Sequence, residues 1–210
     1  MAITAAMVKE LRELSGAGMM DCKKALNETD GNMDEAMEFL RKNGQAKAEK
    51  KASRIAAEGI VKVAVKDNSA AIVEVNSETD FVAKNEKFQT FVEKVAQQAL
   101  ASDAADMDAF MEEKWLEDNS KSVKDILVEQ VAVIGENLKI RRFEKVTAEN
   151  GCVVDYIHGG GRIGVVVVAE TATVNDTVQE ALKNLAMQIA ALNPKYIDRS
   201  EVSADYIAHE

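Results

Sequence analysis

An α+β fold is predicted by three features of the 210-residue sequence. Apolar residues recur at helical spacing through the first ~44 residues, the period then changes from 3.6 to 2, and a hairpin-then-helix arrangement occurs twice. The expected architecture is a small three-helix module followed by a duplicated α+β core, divided into residues 1–54, 55–146 and 147–210.

Thr4 is placed to cap the first helix, and Met7, Leu11 and Leu14 follow at helical spacing until Ser15-Gly16-Ala17-Gly18 interrupts. The second helix carries Met19, Cys22 and Leu26 and ends near Asp30-Gly31. The third opens at Asn32 with Glu35 three positions on, close to a capping box. It runs through Met33, Met37 and Leu40 and is expected to stop at Gly44, leaving the polar stretch Gln45 to Lys51 as a linker. Three helices this short bury only a modest core.

Beyond the linker, Gly59 to Val65 alternates, Asp67-Asn68-Ser69 turns, and Ala71 to Val75 returns, which makes a hairpin. The polar loop Asn76 to Asn85 leads into a helix with Phe88, Phe91, Val92, Val95 and Ala99 on one face. About ninety residues later Gly151 to Ile157 runs up to Gly159-Gly160-Gly161, and Ile163 to Ala169 comes back. A helix with Val178, Leu182, Leu185, Ile189 and Leu192 follows, with Pro194 at its end. Between the two units lie a weak helix around Met107, Phe110 and Met111 and a stronger one at Val123, Leu127, Val131 and Ile134. A strand from Leu138 to Val146 is expected to join the first sheet.

Composition narrows the function. The hydrophobic fraction of 47% suffices for a packed core. The longest apolar run, Ile163 to Ala169, falls far short of the ~20 residues that span a bilayer. Met1-Ala2-Ile3-Thr4 leads straight into a helical pattern rather than a secretory leader, and Cys22 and Cys152 lie far apart, so a cytoplasmic protein is expected. The net charge is -10, and residues 1–54 are close to neutral, so the acidic excess lies in the core. Lys47, Lys50, Lys51 and Arg54 form the one basic cluster, which reads as a solvated helix or linker, so no direct nucleic-acid partner is expected.

A search for covalent chemistry returns little. The two histidines, His158 and His209, form no cluster of zinc spacing with the cysteines. Cys152 and His158 fall on one strand at ~20 Å separation, too far for a nucleophile and its base. Gly159-Gly160-Gly161-Arg162-Ile163-Gly164 fits the spacing G-x-G-x-x-G, but strands lie on both sides where a dinucleotide site needs a following helix. These glycines supply positive φ for a hairpin turn instead. No metal, no cofactor and no catalytic residue is expected. The remaining feature is the loop Asn76-Ser77-Glu78-Thr79-Asp80-Phe81-Val82. Either Thr79 or Asp80 caps the next helix with Phe81 packed beneath it, or Phe81 projects from a rigid loop as an aromatic anchor.

Four ordered blocks speak to that choice. Leu11 to Leu26 (Leu-Arg-Glu-Leu-Ser-Gly-Ala-Gly-Met-Met-Asp-Cys-Lys-Lys-Ala-Leu) closely resembles the N-terminal signature of bacterial translation elongation factor Ts, and Asn76 to Ala83 resembles that family's second signature. Ile134-Gly135-Glu136-Asn137 and His158 to Gly164 are similar to two further blocks in the same order. The resemblance implies a ubiquitin-associated-like fold for the three-helix module and elongation factor Tu, a GTPase, as partner. It implies that Asp80 and Phe81, within Thr79 to Val82, wedge beside a helix of that partner and disturb its magnesium site. Lys23, Ile134, Gly135 and His158 match further contact positions. From local chemistry, Lys23 reads equally as a solvated helix charge, Ile134-Gly135 as a helix end, and His158 as a hairpin-end residue. Longer members continue with a coiled-coil insertion and further core elements. This sequence ends at Tyr206-Ile207-Ala208-His209-Glu210, so it is read as naturally short or truncated, with the second unit incomplete in the latter case.

The function expected is therefore guanine-nucleotide exchange by binding alone, not enzymatic turnover. The alternative is a protein-binding adaptor without exchange activity, which has no use for the Thr79-Asp80-Phe81-Val82 loop.

Overall fold

The computed structural model describes residues 2–209; Met1 and Glu210, where the readings of the two chain ends begin and finish, lie outside it. Helices α1 (Ala5–Ser15), α2 (Met19–Glu28) and α3 (Met33–Lys51) come first. The Thr4 hydroxyl caps α1 by accepting from the Met7 amide at 3.3 Å. Asn32 caps α3, accepting from the amides of Asp34 and Glu35, and its own amide group donates to the Glu35 carboxylate at 2.9 Å. The three helices enclose their own small core of Val8, Leu11, Cys22, Ala25, Leu26 and Ala36. Leu14 and Met19, grouped with that core by their spacing, are exposed instead, each at a helix end beside the Ser15–Gly18 turn.

Strands β1 (Glu58–Lys66) and β2 (Ser69–Ser77) form the first hairpin, with Ile60 opposite Val75 and Glu58 opposite Ser77. The short helix α4 (Asp80–Ala83) and the long α5 (Glu86–Ala101) follow. The apolar stripe of α5 is buried as its spacing requires: Phe88, Phe91, Val92, Val95 and Ala99 pack on Val73 and Val75 of the sheet. Next come α6 (Met107–Glu112), a small hairpin of β3 (Lys114–Trp115) and β4 (Asp118–Ser122), and α7 (Val123–Ile134). Ser122 and Asp125 cap α7 reciprocally. Strand β5 (Lys139–Thr147) pairs antiparallel with β2 and completes a sheet of order β1-β2-β5.

The third helix does not stop at Gly44. It continues through Lys51, and the stretch read as a linker is its last two turns. Gln, Ala, Lys and Glu are all good helix formers, and Lys50 and Lys51 suit a helix C-terminus. Gly44 is kept in the helix because it faces α7, where an added Cβ would lie 3.4 Å from the Ala132 side chain.

The second unit pairs β6 (Gly151–His158) with β7 (Ile163–Glu170) in a two-stranded sheet, followed by α8 (Asp176–Leu192) and a final short helix α9 (Ala204–His209). Helix α8 ends on Asn193 in the left-handed region, one residue before Pro194. Among the described residues, no helix is long and apolar enough to cross a membrane.

Candidate functional site

The loop after β2 is built so that its backbone is held and one side chain is left out. Thr79 caps α4, its hydroxyl accepting from the Val82 amide at 3.3 Å. Within that single turn Ala83 is buried and Val82 packs against the core, so the opposite side points to solvent. Phe81 occupies that side and is 83% exposed, the most exposed aromatic side chain among the described residues. Of the two readings left open, the cap is correct and the packing of Phe81 beneath the helix is not. Phe81 projects from the loop into solvent. A bare phenylalanine forgoes ~1.5–3 kcal/mol of burial in the free protein.

Asp80, beside Phe81, accepts from Lys84 at 2.8 Å one helical turn on. That hydrogen bond and the Lys84 charge hold its carboxyl below the usual range, with a smaller contribution from the Arg162 charge. Asp80 is thus an anion at neutral pH, fixed next to an apolar side chain.

The brace comes from the end of α7. Gly135 takes φ 89° at the helix C-cap, a left-handed conformation that turns the chain sharply toward the loop. The next residue, Glu136, accepts from the amides of Glu78 and Thr79 at 3.0 and 3.1 Å and from the Thr79 hydroxyl at 2.6 Å. In return Glu78 accepts from the Asn137 amide at 2.6 Å and pairs with Arg54 at 3.5 Å. The Asn137 side chain donates to the Arg54 carbonyl at 2.7 Å, which brings the segment just after the third helix into the same junction.

Ile134 and Gly135 are thereby brought together with Thr79, Asp80, Phe81 and Val82. His158 stands exposed at the end of β6 with its Nδ1 2.9 Å from the Tyr156 hydroxyl. The turn that follows it docks on β1, where Gly161 accepts from the Val61 amide at 2.7 Å. Cys152 is buried toward the other end of β6, so the two do not meet. Lys23 is exposed on α2, and no hydrogen bond or ion pair among the described residues joins it to the loop. Met20, one turn before Lys23 and largely exposed, was not singled out from the sequence. Neither were Glu78 and Glu136: a carboxylate after a helix-ending glycine is a weak local signal, and its partner lies 58 residues away. Among the described residues, no group of three or more His, Cys, Asp or Glu is placed to hold a metal ion.

Fold and site together define an α+β protein that displays a braced aromatic residue on a short loop, the kind of feature that anchors protein interfaces. Residues 78–210, which start in this loop, match the family described as Elongation factor TS. Proteins named elongation factor Ts are similar over nearly the whole chain. That of Clostridioides difficile (strain 630) is 55% identical over 99% of this chain and 68% of its own length. That of Trichlorobacter lovleyi is 50% identical over 100% of this chain and 70% of its own length, and that of Clostridium novyi (strain NT) is 49% identical over 99% and 69%. The chain belongs to the elongation factor Ts family.

Proposed function

We propose that this protein is a cytoplasmic guanine-nucleotide exchange factor that binds elongation factor Tu and speeds GDP release by disturbing the magnesium and phosphate site of that GTPase. The single observation that carries the reading is Phe81, solvated in the free protein yet fixed by a capped and braced loop. A side chain so placed enters a partner's pocket without first ordering its own backbone, which preserves binding energy for displacement of partner groups. Magnesium keeps near-ideal octahedral geometry at 2.0–2.1 Å, so a small shift of its surroundings loosens it and the phosphates it bridges. The Asp80 carboxylate adds a negative charge beside the wedge. Ile134 and Gly135 at the end of α7, His158 at the hairpin end and Lys23 on α2 supply the flanking contacts. The same reading treats residues 1–54 as a separate partner-binding module, supported by its own core, and divides the remainder near residue 146.

The test is Phe81→Ala, assayed by release of fluorescent GDP from elongation factor Tu. Central aromatic anchors cost ~2 kcal/mol or more on truncation, so release slows ~10- to 100-fold while the protein's own melting temperature stays nearly unchanged. Normal release with binding retained would make this chain an adaptor instead. Because exchange by binding alone is reciprocal, saturating GDP and magnesium also weaken the complex by the factor that the complex weakens GDP. Undiminished affinity under those conditions overturns the mechanism.

A further inference from the structure

We infer that Glu136 is the positioning residue of the exchange reaction, fixing the Phe81 loop through a reciprocal carboxylate clasp; this rests on the wedge reading above. Three donors of one loop converge on this carboxylate, at 2.6, 3.0 and 3.1 Å. The Thr79 hydroxyl works in both directions, donating to Glu136 and accepting from the Val82 amide, so the clasp runs through to the N-terminus of α4. Hydrogen bonds to an ionised acceptor are about twice as strong as neutral ones, and chains of them reinforce one another. Glu78 closes the clasp from the other side on the Asn137 amide. A four-residue helix has no cooperative stability of its own, so its orientation comes from this anchorage. Glu136 is half-buried behind the loop and acts through Phe81.

The full chain carrying Glu136→Ala or Glu136→Gln, each alone and combined with Phe81→Ala, tests this by GDP release and by amide hydrogen exchange. Loss of the clasp is expected to slow release about tenfold, the factor that corresponds to ~1.4 kcal/mol. Glutamine keeps an acceptor for the two amides and recovers most of the rate. Thr79 and Val82 amides exchange at least ~10-fold faster in Glu136→Ala while those of α5 keep their protection, since loop opening need not involve the core. The decisive arm is non-additivity: with Phe81 already alanine, Glu136→Ala produces no further slowing. Equal slowing in both backgrounds, or loss of protection throughout α5, would reduce Glu136 to a general structural role and overturn the inference. Wild-type release in Glu136→Ala beside slowed release in Phe81→Ala overturns the inference alone. Unchanged release in Phe81→Ala overturns the wedge reading, and the positioning role with it.

Discussion

The two hairpin-plus-helix units are alike in pattern and unlike in cover. In the first, α5 lies on a three-stranded sheet, α7 packs against α5, and every residue of the apolar stripe of α5 is buried. In the second, α8 lies on two strands and buries Ala186 alone, with Leu185 and Leu192 exposed and Val178, Leu182 and Ile189 half-buried. Both helices carry apolar residues on one face. Amphipathic spacing therefore fixes which face turns inward, while the number of neighbouring elements fixes how much of that face leaves water. The loop that exposes Phe81 grows out of the well-covered unit. The wedge proposed for Phe81 requires a stiff base, and the larger core lies on that side of the molecule.

The sharpest way to break the comparison is one truncation in each helix. Phe88 is 0% exposed on α5, so Phe88→Ala is expected to cost ~3–5 kcal/mol through lost burial and a residual cavity. Leu185 is 48% exposed on α8, and Leu185→Ala is expected to stay within ~0.5–1 kcal/mol. Denaturant unfolding of the full chain measures both. Equal losses would mean that α8 is as well covered in solution as α5.

The join between the units gives the next largest effect. Gly161, in the turn after β6, takes φ 100°, and a Cβ there would stand 2.9 Å from the Ile60 Cβ of β1. Gly160 beside it has φ 68° and open space around the added carbon. Gly160→Ala thus carries only the left-handed strain of ~1–2 kcal/mol, and Gly161→Ala adds a clash that shifts the turn off β1, for ~2–4 kcal/mol in total. Thermal melting of the two variants reads the difference. If both melt alike, the turn is not seated on the first unit and the units are coupled elsewhere.

How much of this was readable depends on the range over which each feature is determined. The long elements were legible because period and punctuation are local: the β1–β2 hairpin, the stripe of α5 and the strand joining the first sheet all lie where the pattern put them. The β3–β4 hairpin was not, since two residues of strand around Trp115 have no period to detect. The continuation of α3 past Gly44 was hidden because a helix-interior glycine is unfavourable unless a neighbour requires it, and that neighbour, Ala132, lies 88 residues on. At the loop, the Thr79 cap could be read from chemistry, but the direction of Phe81 could not, because one turn of helix defines no face. Glu136 was visible as part of a motif and invisible as a brace, since its partners are set by tertiary structure.

The smallest expected effect separates the units by pH. On β2, Glu74 lies between Arg141 at 3.1 Å and Arg142 at 2.7 Å, with the Asn76 side-chain amide at 3.3 Å. Burial alone would raise its carboxyl, but the hydrogen bonds from Arg142 and Asn76 and the two arginine charges outweigh it and hold it below its ordinary value of 4.5. A carboxyl depressed in the folded state stabilises above its unfolded value, and that contribution is lost as pH falls through the lower folded value. The window therefore opens below about pH 4.5 and not near neutrality. On the second sheet Glu170 instead accepts backbone amides from Glu149 and Asn150 at 2.8 and 2.7 Å, and among the described residues it makes no ion pair with an arginine. Glu74→Gln is expected to cost about 1 kcal/mol at pH 7 and to flatten the acid limb of stability below about pH 4.5, in step with the protonation it removes. High salt should reproduce part of the loss in the wild type, because both guanidinium groups are exposed to screening ions. An acid limb unchanged by Glu74→Gln would move the proton uptake to other carboxylates and remove this electrostatic difference between the two sheets.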